Sequence, residues 1–255
     1  MFCEKKTDSP IFHVYPFEDT VYLNNNSGGE SKKSMNCFNS VELPKNTDVT
    51  LVPKNKPDQR DVVLISGRSG SGKSYWCRLY AINYMKMFPK RKIYIFSAVQ
   101  KDKAFDDLSR VERIVLDDNF LALEEENEDG FDFNIFKNCL VIFDDTEKIG
   151  NKKILTLVNK IRDQLLEMGR HNKVHMLYTT HMCCNYKSSR ILLNECNYII
   201  LFNVRTNNIS QYYLKTYSGL SKDKIKEVSA INSRFIGLHL EEPSFYFYEN
   251  GFSAV

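Results

Sequence analysis

Short apolar runs, each closed by polar or turn-forming residues, alternate along this chain with stretches of helical periodicity. Residues 62–66, 93–98, 111–116, 139–143, 174–178 and 198–204 read as strands. Most are apolar at successive rather than alternate positions, the pattern of parallel strands covered on both faces. Between them, residues 75–87 read as a helix. So does the segment capped by Asn151, whose apolar stripe is Ile154, Val158, Ile161, Leu165 and Met168 and whose terminator is Gly169. Residues 210–217 and 221–230 also look helical. Residues 235–240 and 245–248, separated by Glu241-Glu-Pro-Ser244, read as a hairpin at the sheet edge. Strand and helix in alternation predict an α/β fold with a mainly parallel central sheet flanked by helices.

The first 60 residues break this rhythm. They are polar and irregular, the run Asn24-Asn-Asn-Ser-Gly-Gly29 marks a loop, and Pro44, Pro53 and Pro57 punctuate the approach to the core. Strand-like patterns occur only over 14–22 and 48–52. The expected division is therefore an N-terminal extension over 1–60 with a small β element, followed by one domain over 61–255.

Chemistry enters where the first core run ends. Gly67-Arg-Ser-Gly-Ser-Gly-Lys-Ser74 fits G-x-x-x-x-G-K-[ST] and lies between a strand and a helix, the context of a phosphate-binding loop. Gly67, Gly70 and Gly72 let the backbone curl so that successive N–H groups face one concavity, with Arg68, Ser69 and Ser71 between them. The helix beginning near Lys73 adds its positive end. Lys73 can reach the β- and γ-phosphates of ATP, and the Ser74 hydroxyl can ligate Mg²⁺.

A second run, 139–143, ends in Asp144-Asp145. At the carboxyl edge of a parallel sheet, these acids would open beside the loop. Asp144 is then the metal partner and Asp145 the general base that polarises water, with Glu147 in reserve. The strand over 174–178 ends in Thr179-Thr180-His181 at the same edge, where His181 can sense the γ-phosphate or orient water.

Net charge is +3, but residues 100–147 carry 5 basic and 15 acidic side chains, whereas 148–234 carry 15 basic and 5 acidic. This polarity suggests a basic surface for nucleic acid or complementary faces between subunits. The acid-rich stretch 117–132 suits an exposed connection. Seven cysteines without metal-ligand spacing look like reduced intracellular thiols, and the adjacent Cys183-Cys184 reads as structural. No apolar run is long enough for a membrane span, and the first residues lack the apolar centre of a secretory signal. An intracellular protein is expected.

Four segments occur together: GRSGSGKS at 67–74, LVIFDD at 140–145, GRHNKVHMLYTTH at 169–181 and YIILFNVR at 198–205. Their order and spacing resemble the FtsK/HerA superfamily of P-loop ATPases, and within it the poxvirus-type genome-packaging ATPases of large DNA viruses. The resemblance covers about residues 60–215. It implies an oligomeric ring motor that hydrolyses ATP while driving double-stranded DNA into a preformed capsid at viral assembly sites. Capsid or virion assembly proteins are the implied partners. It also implies an arginine supplied by a neighbouring subunit, for which Arg170 in the G-R-H turn is the first choice and Arg205 and Arg190 follow. Asp145 stands where many relatives have Glu, and His181 where Gln is frequent. DNA contact should go to phosphates; Lys148, Lys152, Lys153, Lys222, Lys224 and Lys226 are candidates by charge. A P-loop kinase of a small molecule or nucleotide, and a nucleotide-gated assembly protein without turnover, remain as alternatives. A GTPase is disfavoured, because Asn159-Lys160-Ile161-Arg162 has Arg where the guanine-reading Asp is needed.

Overall fold

A computed structural model describes residues 2–3, 9–15, 19–23, 37–38, 40–43, 48–56, 59–125, 131–184 and 186–255. The early strands are β1 (Phe2–Cys3), β2 (Ser9–Tyr15), β3 (Asp19–Leu23), β4 (Cys37–Phe38), β5 (Ser40–Glu42) and β6 (Asp48–Leu51). The core begins with β7 (Val62–Ser66) and α1 (Lys73–Met87), then β8 (Ile93–Ser97), β9 (Val111–Val115) and α2 (Asp118–Glu125). It continues with β10 (Leu140–Asp144), α3 (Lys152–Met168), β11 (His175–Thr180), α4 (Tyr186–Glu195) and β12 (Tyr198–Phe202). Then come α5 (Asn208–Thr216), α6 (Lys222–Ala230), β13 (Phe235–His239), β14 (Phe245–Tyr248) and β15 (Gly251–Ala254).

Ten strands form the central sheet in the order β5-β15-β14-β13-β12-β7-β11-β10-β8-β9. From β12 to β9 all neighbours are parallel, so their carboxyl ends share one edge. The expected α/β fold with helices on both faces is present. The hairpin β13–β14 is also present, but it is not at the edge: β14 pairs onward with β15, and β15 with β5. Neither added strand has an apolar run to announce it.

Every residue of β7 is buried, and alternate side chains serve opposite faces. Val63 and Ile65 join the cluster under α1 with Trp76, Cys77, Tyr80 and Tyr84. Val62 and Leu64 join Ile154, Val158, Ile161 and Leu165 of α3. The α3 stripe runs as expected except at its end, where Leu166 is buried and Met168 is 49% exposed. Within the acid-rich connection α2 forms, because Asp117 Oδ1 accepts the N–H groups of Asn119 and Phe120, each at 3.1 Å, and Phe120 is buried.

In place of one strand over 14–22 there are two, β2 and β3, paired antiparallel in a five-stranded sheet ordered β4-β1-β3-β2-β6. Ile11, Phe12, Val49 and Leu51 lie in the α1-face cluster, and Phe12 stacks on Phe252 at 4.9 Å. The loop expected over 24–29 lies outside the described residues, as do Pro44 and Pro57. Among the described residues no helix is long and apolar enough to cross a membrane.

At the amino edge of the parallel strands, Asp61 is buried with Tyr80 Oη donating to its Oδ2 at 2.6 Å and Lys54 N at 3.0 Å. Burial alone would raise this carboxyl; His175, Lys54 and Tyr80 outweigh it and hold Asp61 below the usual carboxylate range. Nearby, Glu241 is drawn down to about 2 by His239 and by the Lys54 ammonium, whose Nζ lies at 2.6 Å. Both folded-state values lie below the unfolded ones of about 4. The stability they contribute is therefore complete above that value and is lost as pH falls through the folded values. Urea midpoints should fall between pH 5 and pH 3, and Glu241→Gln should flatten part of that slope; an unchanged slope would remove Glu241 from the account.

Candidate functional site

The loop over 67–72 leaves β7 at the carboxyl edge and is folded tightly against its neighbours. Gly67 N donates to Thr180 O of β11 at 3.2 Å. A Cβ on Gly67 would stand 2.6 Å from Ser71 Oγ and 2.7 Å from Phe202 Cβ, so only glycine fits there. Gly70 and Gly72 hold φ of 73° and 108°, values costly for any other residue. Helix α1 then starts with neither a capping side chain nor an acid in its first turn. Its first N–H groups are thus left for an anion. Ser71 Oγ is buried in the loop with no hydrogen-bond partner.

Lys73 is 5% exposed and lies back across the loop. Its Nζ donates to Gly67 O at 3.1 Å and stands 3.5 Å from Asp145 Oδ1. Ser74 Oγ lies 3.4 Å from Asp144 Oδ1. Two hard oxygen donors converging from α1 and β10 suit Mg²⁺, which takes one or two protein oxygens and fills its octahedron with water and phosphate.

Because β11 lies between β7 and β10, its carboxyl end touches both acids. Thr179 Oγ1 accepts Asp145 N at 2.8 Å and donates to Asp144 Oδ1 at 3.1 Å. Asp145 turns the chain at φ 49°, a conformation that Asp tolerates better than most residues. Its Oδ2 meets Lys148 Nζ at 3.0 Å and His181 Nε2 at 3.3 Å. Glu147 Oε1 accepts from Thr180 Oγ1 at 2.7 Å.

The two carboxyls differ in acidity. Burial, and then the Asp145 charge, raises Asp144 above the usual range against the hydrogen bonds of Thr179 and Ser74. Burial raises Asp145 too, but Lys148, Lys73 and His181 outweigh it and the net shift is downward. Asp145 is thus the more acidic of the two carboxyls.

The structure brings Lys73, Ser74, Asp144, Asp145 and His181 together. It does not bring Arg170 to them. Arg170 is exposed at the amino edge, in the turn before β11, on the far side of the sheet edge from its own chain's loop. Nor does Arg170 cap α3: Arg60 does, donating from Nη1 to Leu165 O at 2.8 Å and from Nη2 to Leu166 O. A Cβ on Gly169 would collide with the Arg60 guanidinium, which accounts for the glycine of the G-R-H turn. Arg205 is exposed just past the carboxyl end of β12, with Nη1 3.3 Å from Asn232 Oδ1, and Arg190 lies on α4 beside Tyr213 and Tyr217. Of the charge-selected lysines, Lys148 pairs with Asp145, Lys224 with Glu227 and Lys226 with Asp223. Thr179 was not singled out in the sequence, since its task depends on strand order.

No family model matches the chain. A protein of the Sputnik virophage named "Uncharacterized protein V3" is 32% identical over 231 residues, covering 88% of this chain and 91% of that protein. The chain belongs to the V3 family. Among solved structures, the genome packaging NTPase B204 of Sulfolobus turreted icosahedral virus 2, in complex with sulfate, superposes with a TM-score of 0.50 at 20% identity. The match covers 77% of the V3-family chain and 98% of B204. The pCW3 conjugation coupling protein TcpA, with ATPγS, gives a TM-score of 0.51 at 13% identity, over 97% of this chain and 77% of that one. At these identities the likeness is one of fold, the P-loop NTPase core. The resemblance to packaging ATPases drawn from the V3-family sequence is matched at that level.

Proposed function

We propose that this chain is an ATP-hydrolysing DNA translocase that packages double-stranded viral DNA into preformed capsids during virion assembly, acting as a homo-oligomeric ring. The observation that carries it is the convergence of Lys73, Ser74, Asp144 and Asp145 on one sheet edge, joined through Thr179. The loop N–H groups and Lys73 bind the β- and γ-phosphates, which draws the Lys73 ammonium off the Gly67 carbonyl. Ser74 and Asp144 hold Mg²⁺, which supplies positive charge against the developing charge of the transferring phosphoryl. Asp145 orients water and takes its proton, with His181 beside it. Arg170, turned away from its own loop, serves as the finger only toward a neighbour's site; Arg205 is the alternative on the nucleotide edge. Residues 1–60 act with the domain over 61–255 through the shared α1-face cluster.

DNA phosphates are held by exposed basic side chains such as Lys152 and Lys222, so binding weakens steeply with salt and ignores sequence. ATP turnover of the full chain, measured with and without long linear duplex DNA alongside solution mass, tests the proposal. Stimulation by duplex DNA and a mass above the monomer are expected. Turnover that requires a small acceptor would make it a kinase, and nucleotide binding without turnover would make it a nucleotide-gated scaffold.

A further inference from the structure

The turn that follows β11 carries two adjacent thiols. Cys183 lies in the buried cluster on the α3 face, whereas Cys184 is only partly covered. Their sulfur atoms are 3.6 Å apart, in mutual hydrogen-bond contact. Cys183 also meets Ser66, the last residue of β7, whose hydroxyl is buried and otherwise unpartnered. The Cys184 thiol donating to it, against the effect of burial and with Ser66 beside it, holds Cys183 below the ordinary thiol range. Cys139 and Cys196, by contrast, are each pushed up to about 12 by burial.

The same turn holds part of the site at the carboxyl edge. Thr180 Oγ1 accepts Met182 N at 2.9 Å, and Glu147 Oε2 accepts His181 N at 3.4 Å. His181 Nε2 stands 3.3 Å from Asp145 Oδ2. We propose that Cys183 and Cys184 are a modification site, a dithiol that a peroxide oxidises reversibly to a disulfide between neighbouring residues, and that closing it draws His181 off Asp145 and slows ATP turnover. The effect on turnover rests on the reading of the site as an ATPase; the dithiol itself does not.

Cys184 is the point of entry, because Cys183 has no exposed surface. The Cys184 thiolate attacks one peroxide oxygen, the O–O bond breaks, and Cys184 becomes a sulfenic acid. The Cys183 sulfur then displaces that hydroxyl, the S–S bond forms, and the oxygen leaves as water. Two thiols and one peroxide thus give one disulfide and two waters, with two electrons passing from the sulfurs to the peroxide. The bond brings the sulfurs to about 2.05 Å. Consecutive Cα atoms stand about 3.8 Å apart, closer than the roughly 4.4 Å at the short end of ordinary disulfides, so the peptide between them must turn. Met182 and His181 move with it. Such a bond is reduced more readily than an ordinary one, and thiols reverse the change.

Hydrogen peroxide treatment of the full chain, followed by mass measurement of the tryptic peptide spanning 174–187, tests the inference. That peptide contains Cys183 and Cys184 and no other cysteine. It should lose two hydrogens and regain them with dithiothreitol. ATP turnover should fall in step by about 10–10²-fold, as displacing a positioned group does, and return with dithiothreitol. Cys184→Ser should keep its turnover through the same treatment. A treated peptide that keeps both thiols would overturn the inference. So would a closed pair in a chain that still hydrolyses ATP at the untreated rate, or a Cys184→Ser chain that loses turnover as the parent does. A reduced parent without turnover would instead reject the ATPase reading, and the peptide mass would still decide whether the dithiol closes.

Discussion

Lys73→Ala is expected to lower ATP turnover by about 10²–10³-fold, the cost of removing one preorganised charge from a transferring group, while the chain stays folded. The side chain is nearly buried, but its partners are the loop's own Gly67 and Arg68 carbonyls and Asp145. Those carbonyls face the cradle and regain water once the ammonium is gone. Asp145 keeps Lys148 and His181. The loss should therefore appear in kcat and in nucleotide affinity, with a thermal midpoint close to that of the parent. Hydrolysis at the parental rate by a folded Lys73→Ala chain would reject the assignment of the loop.

The second large effect separates two acids. Asp145→Asn should reduce kcat by about 10²–10⁴-fold, as loss of a general base does, whereas Glu147→Gln should keep most of the rate. The structure gives them different duties. Asp145 faces Lys73 at 3.5 Å and His181 at 3.3 Å, on the side where a terminal phosphate would meet water. Glu147 is tied down by the Thr180 hydroxyl at 2.7 Å and by the N–H of His181 at 3.4 Å. Its carboxylate orders the turn that carries His181. Single-turnover rates for the two variants decide the matter. If Glu147→Gln is the dead enzyme and Asp145→Asn the active one, the base is Glu147.

The core strands were legible because burial on both faces leaves nearly continuous apolar runs, and the loop because its glycines are needed for shape. The two aspartates were legible from their place at a strand end. What the sequence hid is what depends on neighbours. Thr179 bridges Asp144 and Asp145 only because β11 is inserted between β7 and β10, an order that local pattern does not encode. Short β5 and β15 carry little apolar signal and extend the sheet through backbone pairing, so β13–β14 looked like an edge. Helix α2 was masked by its acids, of which Asp118 suits a helix start capped by Asp117. Arg170 was read from a motif shared with a family, and its position on the other rim follows from the direction of β11.

The placement of β11 ties the glycine bend to the two acids. Its last residues bond on one flank to Gly67 through the Thr180 carbonyl, and on the other to the Asp145 amide through the Thr179 hydroxyl. Sliding that strand by one pairing step would release both flanks together. A displacement at the acids would therefore reach the glycine bend through two neighbouring residues, Thr179 and Thr180.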